Sequence, residues 1–274
     1  MLPHRPLGKI GIEVSCLGLG TVKFGRTHNL RYTEKFTLPD DAQLKQLLDV
    51  ARECGMNLID TAPAYGFSEE RLGDLLKSSR KDWIISTKAG EEFILNKARD
   101  EAWSQFDFSA KQIRASVERS LRRLRTDYLD LVLIHSDGED EKILTQTEAL
   151  DTLIQLKQEG WIRAHGISSK TVAGGLLASD MTDVVMLTYN QQQPEDAPVI
   201  EACAKSGTGV LLKKVFASGQ VCHHDSPLDA QKKIQSALGF ALKPQAVSSA
   251  VLGTINPEHL RENVMAILSQ GLTS

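Results

Sequence analysis

The chain has little aromatic character, little net charge and no paired cysteines, and each shortage removes a class of function. Aromatics make up 5% of the 274 residues and net charge is -3 at pH 7, with a pI near 6.2. Such a balance gives no electrostatic footprint for nucleic acid or an anionic membrane surface. The four cysteines, Cys16, Cys54, Cys203 and Cys222, are scattered and form no CxxC pair, which speaks against a disulfide framework or a zinc ribbon. No apolar run approaches the roughly 20 residues that span a bilayer, and the opening MLPHRPLGKIGIEVS has no h-region. The expectation is a cytoplasmic protein with reduced thiols that handles a small molecule and binds neither nucleic acid nor membrane; oligomeric state is left open.

What is present is a repeated alternation. Short apolar runs begin at Val14, Asn57, Asp82, Tyr128, Ile162, Asp183, Gly209 and Ser248, eight candidate strands with little polar interruption. Between them lie stretches of helical periodicity, such as Ile113, Val117, Leu121 and Leu124, whose spacings of four and three share one helix face. Ser109 with Gln112, and Asn256 before Pro257 and Glu258, read as helix starts. Eight strand-helix units whose strands are apolar on both faces predict a parallel sheet covered by helices, most economically a single-domain (β/α)8 TIM barrel over residues 1–274. The long segments 25–39 and 91–108 follow strands and would lie on the active face.

A barrel carries its chemistry at strand C-termini. There, against the apolar pattern, stand Asp60 in NLIDTAPAY, Lys88 in WIISTKAG and His135 in LDLVLIHS, with Tyr65 a bend after Asp60. Singly each has an ordinary explanation as a cap, a snorkelling lysine, a core histidine or packing; together they form a constellation. DTAPAYG, STKAG and LVLIHSD resemble the motifs of the aldo-keto reductases, in particular the bacterial short-tailed members. The likeness runs from RPLGKIGIEVSCLGLGTVKFG to NPEHLRENV.

The resemblance implies a barrel and a catalytic tetrad of Asp60, Tyr65, Lys88 and His135. Tyr65 would protonate a carbonyl oxygen while a nicotinamide gives hydride to carbon, and Lys88, held by Asp60, would lower the phenol's pKa. His135 would orient the carbonyl. The cofactor expected is NADP(H), with NAD(H) possible, and no metal. By position its contacts would be Gly20, Thr21, Asp60, Ser168, Ser169, Lys213, Lys214, Gly253, Thr254, Asn256, His259, Glu262 and Asn263.

The chain departs from that pattern in places. Gly253 and His259 stand where Lys and Arg often hold the 2′-phosphate, leaving Arg261, Lys213 and Lys214 as other sources of charge. Lys213 stands where a tyrosine often stacks on the nicotinamide, and Ser169 and Met186 replace amide-bearing side chains. Phe24, Phe93, Trp103 and Phe106 are candidate walls for a small carbonyl substrate in an open pocket.

Other signals are weaker. GLGTVKFG lacks its third glycine, with Lys23 in that place, and no helix clearly opens there. CHHD at Cys222 to Asp225 has metal-ligand letters without a second ligand pair. Arg119, Arg122, Arg123 and Arg125 read as a solvent-facing stripe. The reading is thus an NADP(H)-dependent oxidoreductase reducing an aldehyde or ketone to an alcohol, with a nicotinamide-binding regulatory or sensing protein as the alternative.

Overall fold

Strands apolar on both faces need cover on both faces, and a closed sheet wrapped in helices provides it. A computed structural model describes residues 1–30, 36–96, 101–217, 219 and 227–271. Its strands are β1 (His4–Pro6), β2 (Glu13–Ser15), β3 (Leu17–Gly20), β4 (Leu58–Asp60), β5 (Ile84–Ala89), β6 (Glu91–Asn96), β7 (Glu101–Phe106), β8 (Leu129–His135), β9 (Ile162–Ser168), β10 (Val184–Thr188), β11 (Gly209–Lys213) and β12 (Val247–Leu252). Eight of them close a parallel barrel in the order β3-β4-β5-β8-β9-β10-β11-β12, β12 returning to β3 through the pairs Ala250 with Leu17 and Leu252 with Leu19. The (β/α)8 barrel expected from the apolar runs is the fold, and each of the eight runs supplies one barrel strand.

The remaining four strands form two antiparallel hairpins that the runs did not disclose. The first, β1 with β2, leads into the start of β3. Leu7, Ile12 and Val14 there join Leu58, Leu131, Leu133, Ala164, Val184, Met186 and Leu211 in one buried cluster, so the hairpin region packs into the barrel interior. Gly8 sits at φ +58°, where a Cβ would lie 2.4 Å from Gly209 N, so only glycine fits that approach. The second hairpin, β6 with β7, occupies most of the expected long loop and pairs Glu91 with Phe106 through Asn96 with Glu101.

Helix starts follow the caps. The Ser109 side chain accepts from Gln112 N at 3.4 Å ahead of the helix Ala110–Leu124, and Asn256 accepts from Glu258 N at 2.9 Å ahead of Pro257–Leu268. A full capping box at Asp40 and Gln43 opens the helix Asp41–Glu53 as well. A four-residue helix, Val22–Gly25, does open after GLGT, against expectation; Thr21 N and its hydroxyl are both tied to the Asp60 carbonyl, each at 3.0 Å. Among the described residues no helix is long and apolar enough to cross a membrane.

The arginine stripe is more than a solvated face. Arg119 pairs with Glu92 of the second hairpin, Arg123 with Glu70 at 2.8 Å and with buried Glu69 at 3.4 Å, and Arg125 with Asp74 at 2.7 Å. Acids on neighbouring elements draw these side chains across the surface, and Arg123 anchors its helix to the helix Ser68–Leu75.

Parallel register brings the functional strand ends to one level. Asp60 pairs with Ser86, Lys88 with Leu133, and His135 with Ser168. The chain then turns through Pro63–Tyr65 into Gly66, whose φ is +65° and whose Cβ would lie 2.2 Å from Gly25 O. A Cβ on Gly25 would in turn stand 2.4 Å from Tyr65 O, Phe67 N and Ser68 N. Two glycine backbones in contact therefore set where the Tyr65 turn lies. Gly25→Ala is expected to cost about 1–3 kcal/mol through overpacking, which at about 2–4 °C per kcal/mol for a chain of this size lowers the melting temperature by several degrees in a thermal unfolding scan.

Candidate active site

Three barrel strands deliver charge to one spot. Asp60 at the end of β4 and Lys88 near the end of β5 are almost fully buried, at 3% and 2% exposure. Lys88 Nζ lies 2.8 Å from both Asp60 carboxylate oxygens and 2.8 Å from Thr61 O. All three ammonium donors are thus committed. Ser86 Oγ adds a 3.0 Å bond to Asp60 Oδ1, as a buried carboxylate requires.

Tyr65 stands over this pair, with Lys88 Nζ 4.9 Å from its ring centroid. His135 at the end of β8 meets the Tyr65 ring edge-on, centroids 6.3 Å apart at 83°. The four expected residues are therefore together. The phenol, however, departs from expectation: its pKa is raised well above the ordinary value rather than lowered. Burial is the main cause, the negative charges of Asp60 and Glu91 add to it, and Arg26 opposes it. Lys88 faces the ring and spends its donors on Asp60 and Thr61, which is why it does not pull the proton off.

Glu91, the first residue of β6, was missed. It is 8% exposed and its Oε2 lies 2.6 Å from His135 Nδ1; Ser104 Oγ of β7 donates to Oε1. Burial would raise the Glu91 pKa, but His135, Ser104 and Arg26 together carry it down to about 2. Burial lowers the pKa of His135, with the charges of Lys88 and Lys213 adding, and these outweigh the pull of Glu91. The signal was available: an ionisable residue directly after STKAG breaks the apolar pattern as Asp60 does. Arg26 was missed too; it stacks 3.8 Å over the Phe93 ring and donates to Ala64 O at 3.0 Å.

The residues expected at a cofactor fall into two groups. At the barrel mouth Lys213 Nζ donates to Ser168 Oγ at 2.8 Å and Ser169 O at 2.7 Å, which leaves one ammonium donor and the Ser168 hydroxyl proton for a carboxamide. Burial, reinforced by Lys214, Lys88 and Lys170 against Asp140, lowers the Lys213 pKa to about 7. Ser169 is held by Met186, its N donating to Met186 O at 2.9 Å. Thr21 is committed: its hydroxyl donates to Asp60 O and accepts from Ser68 Oγ at 2.8 Å. Beside it Gly20 is buried at the end of β3.

The second group lies after β12. Gly253 and Thr254 lead to the Pro257–Leu268 helix, where Thr254 Oγ1 accepts from Asn256 N at 3.1 Å, Asn263 is buried, and His259 and Glu262 are exposed. In the first turn Glu258 N bonds Asn256 Oδ1 and Leu260 N bonds Asn256 O, so the N–H of His259 is the donor left for an anion. A nicotinamide dinucleotide fits this donor set at both ends. The alternative cations behave differently: Arg261 is spent on Glu53 at 2.9 Å, and Lys213 belongs to the mouth. Lys214 adopts φ +57°, its carbonyl accepting from Asn190 Nδ2 at 3.0 Å.

Of the expected pocket walls, Phe24 is wholly buried in the core and lines nothing, whereas Trp103 is 46% exposed and Phe106 stacks on Phe108 with centroids 6.2 Å apart. The Cys222 to Asp225 stretch lies outside the described residues.

Glu91 ties stability to pH. Its pKa falls from an ordinary 4.5 to about 2 on folding, so the unfolded chain binds the proton more tightly and the contribution, up to about 3 kcal/mol, is complete above pH 4.5 and lost between there and pH 2. Urea unfolding of Glu91→Gln across this range should show a deficit against wild type at pH 6 that shrinks toward pH 2.

Comparison with known proteins agrees with the geometry. Residues 16–223 match the model of the Aldo/keto reductase family. A Pseudomonas aeruginosa protein of known structure, described as a presumed aldo-keto reductase, is 48% identical with a TM-score of 0.86, over 98% of this chain and 95% of that one. The NADH-specific methylglyoxal reductase of Escherichia coli is 34% identical over 96% of this chain and 92% of its own, and a D-threo-aldose 1-dehydrogenase from a Pseudomonas species is 28% identical over 92% and 89%. With its barrel, its strand-end charges and a family match over most of its length, the chain belongs to the aldo/keto reductase family of nicotinamide-dependent oxidoreductases.

Proposed function

We propose that this protein reduces an aldehyde or ketone to an alcohol with a nicotinamide cofactor, NADP(H) in preference to NAD(H). The observation that carries the reading is the buried Asp60–Lys88 pair with the Tyr65 phenol above it and His135 at its edge. Ser168 and Lys213 would hold the carboxamide end of the cofactor, and Thr254, Asn256, His259 and Asn263, around the helix that starts at Pro257, its phosphate end. A bound nicotinamide supplies the hydride.

The side chains do the rest. Tyr65, kept protonated by burial and by Asp60 and Glu91, gives its proton to the carbonyl oxygen as negative charge grows there. A phenol is far more acidic than the alcohol formed, so the transfer runs downhill even from a raised pKa. The phenolate then faces the Lys88 ammonium at the ring, which Asp60 holds in place. His135, when Nε2 carries a proton, donates to the same oxygen and fixes its direction.

The preference for NADP(H) rests on likeness to the family, since Arg261 is paired with Glu53 and the E. coli relative is named for NADH. Quenching of tryptophan fluorescence by NADPH and by NADH measures it: at least tenfold tighter binding of NADPH supports the preference, and equal or reversed affinity removes it. Tyr65→Phe tests the chemistry. Its reduction of a reactive aromatic aldehyde should fall by about 10²–10⁴-fold while NADPH still quenches the tryptophans; wild-type turnover in this variant would sink the assignment.

A further inference from the structure

Glu91 is a buried ionisable group at the barrel mouth, and its placement specifies a task beyond its influence on the Tyr65 proton. Its Oε2 lies 2.6 Å from His135 Nδ1. Nδ1 has no other partner, and the contact is short without the alignment of a good hydrogen bond. Two bare acceptor atoms repel at such a separation, so the contact calls for a proton on one of them. The carboxylate holds its charge with Ser104 donating to Oε1 and Arg26 nearby, which puts the proton on the ring. With Nδ1 protonated, a neutral imidazole has only a lone pair at Nε2 and a charged one has a second N–H there.

We propose that Glu91 is a positioning residue for His135: by taking the Nδ1 proton it leaves Nε2 to donate to a substrate oxygen only in the charged ring, and to accept from a hydroxyl in the neutral one. This deepens the carbonyl-reductase reading and rests on it for the substrate oxygen, but the Glu91–His135 geometry stands without it. The other charged groups facing the ring are Lys88 from β5 and Lys213 from β11, with the Tyr65 ring edge-on and Asp60 neutralised by Lys88. Both lysines oppose a charged imidazole, and Glu91 is the group that favours it. Carbonyl reduction should accordingly weaken as pH rises through the His135 titration, because Nε2 then stops donating.

The test is nitrogen NMR of the ligand-free protein labelled at its seven histidines, with the His135 signals identified by their loss in His135→Gln. In wild type near pH 8 the proton should reside on Nδ1, and acidification should add the second at Nε2. Removing a charge this near the ring in Glu91→Gln should lower the titration midpoint by about 1–3 pH units, and Glu91→Asp, which keeps the charge, should recover part of that. The pH profile of kcat/KM for aldehyde reduction should move the same way while NADPH affinity stays put. An Nε2–H tautomer in wild type near pH 8, a measurement that needs no Glu91 variant, would overturn the proposal, as would equal midpoints in wild type and Glu91→Gln. Because the spectra need neither cofactor nor turnover, failure of the reductase reading alone would leave the expected tautomer in place.

Discussion

A carboxylate and an ammonium, both buried at the end of a closed sheet, are the interaction on which the rest of this structure depends. Asp60 and Lys88 come from adjacent strands 28 residues apart, and removing one partner of such a pair costs about 3–5 kcal/mol because the other charge is left without water or counter-ion. The pair holds only while the strand register that sets Asp60 beside Ser86 holds. In return it fixes the floor on which Tyr65 sits. Structure and chemistry thus share one constraint: the barrel must close in this register for the pair to form, and the pair must form for the phenol to have a cationic face beneath it.

Around that floor the molecule distributes charge by layer. Lys88 is saturated by Asp60 and Thr61; Lys213, across the mouth, is held by Ser168 and Ser169; Glu91 answers His135 and Arg26 from the second hairpin. The hairpin is therefore more than a lid of apolar residues. It brings the Glu91 carboxylate against the His135 imidazole, where Lys88 and Lys213 act in the opposite sense. The Tyr65 turn is placed independently by the contact of Gly25 with Gly66, so the phenol is aligned by backbone packing and tuned by side-chain charge.

The barrel was legible because its strands are buried on both faces. LVLIH and VVMLT are near-continuous apolar runs, and ionisable residues closing three of the eight runs, in NLID, IISTK and LVLIH, are how Asp60, Lys88 and His135 stood out. The hairpins were not legible for the complementary reason. EEFILN and EAWSQF pair with each other rather than within the barrel, and HRP with EVS offers only three residues a side, too few to show a period. The Tyr65 pKa goes up rather than down because it depends first on the burial of the phenol, and then on the charges of Asp60 and of Glu91, which follows β5 by one glycine. The fate of Arg261 was hidden for a similar reason: its partner Glu53 lies 208 residues away.

The central claim is that Tyr65 gives its proton to a carbonyl oxygen above a buried ion pair whose ammonium then faces the phenolate, and turnover in Asp60→Asn tests it directly. The substitution keeps the shape of the side chain and removes the charge that holds Lys88. With barrel structure verified by circular dichroism, the NADPH-dependent reduction rate of a reactive aromatic aldehyde should fall by about 10²-fold or more. A correctly folded Asp60→Asn protein that reduced the aldehyde at the wild-type rate would contradict the account.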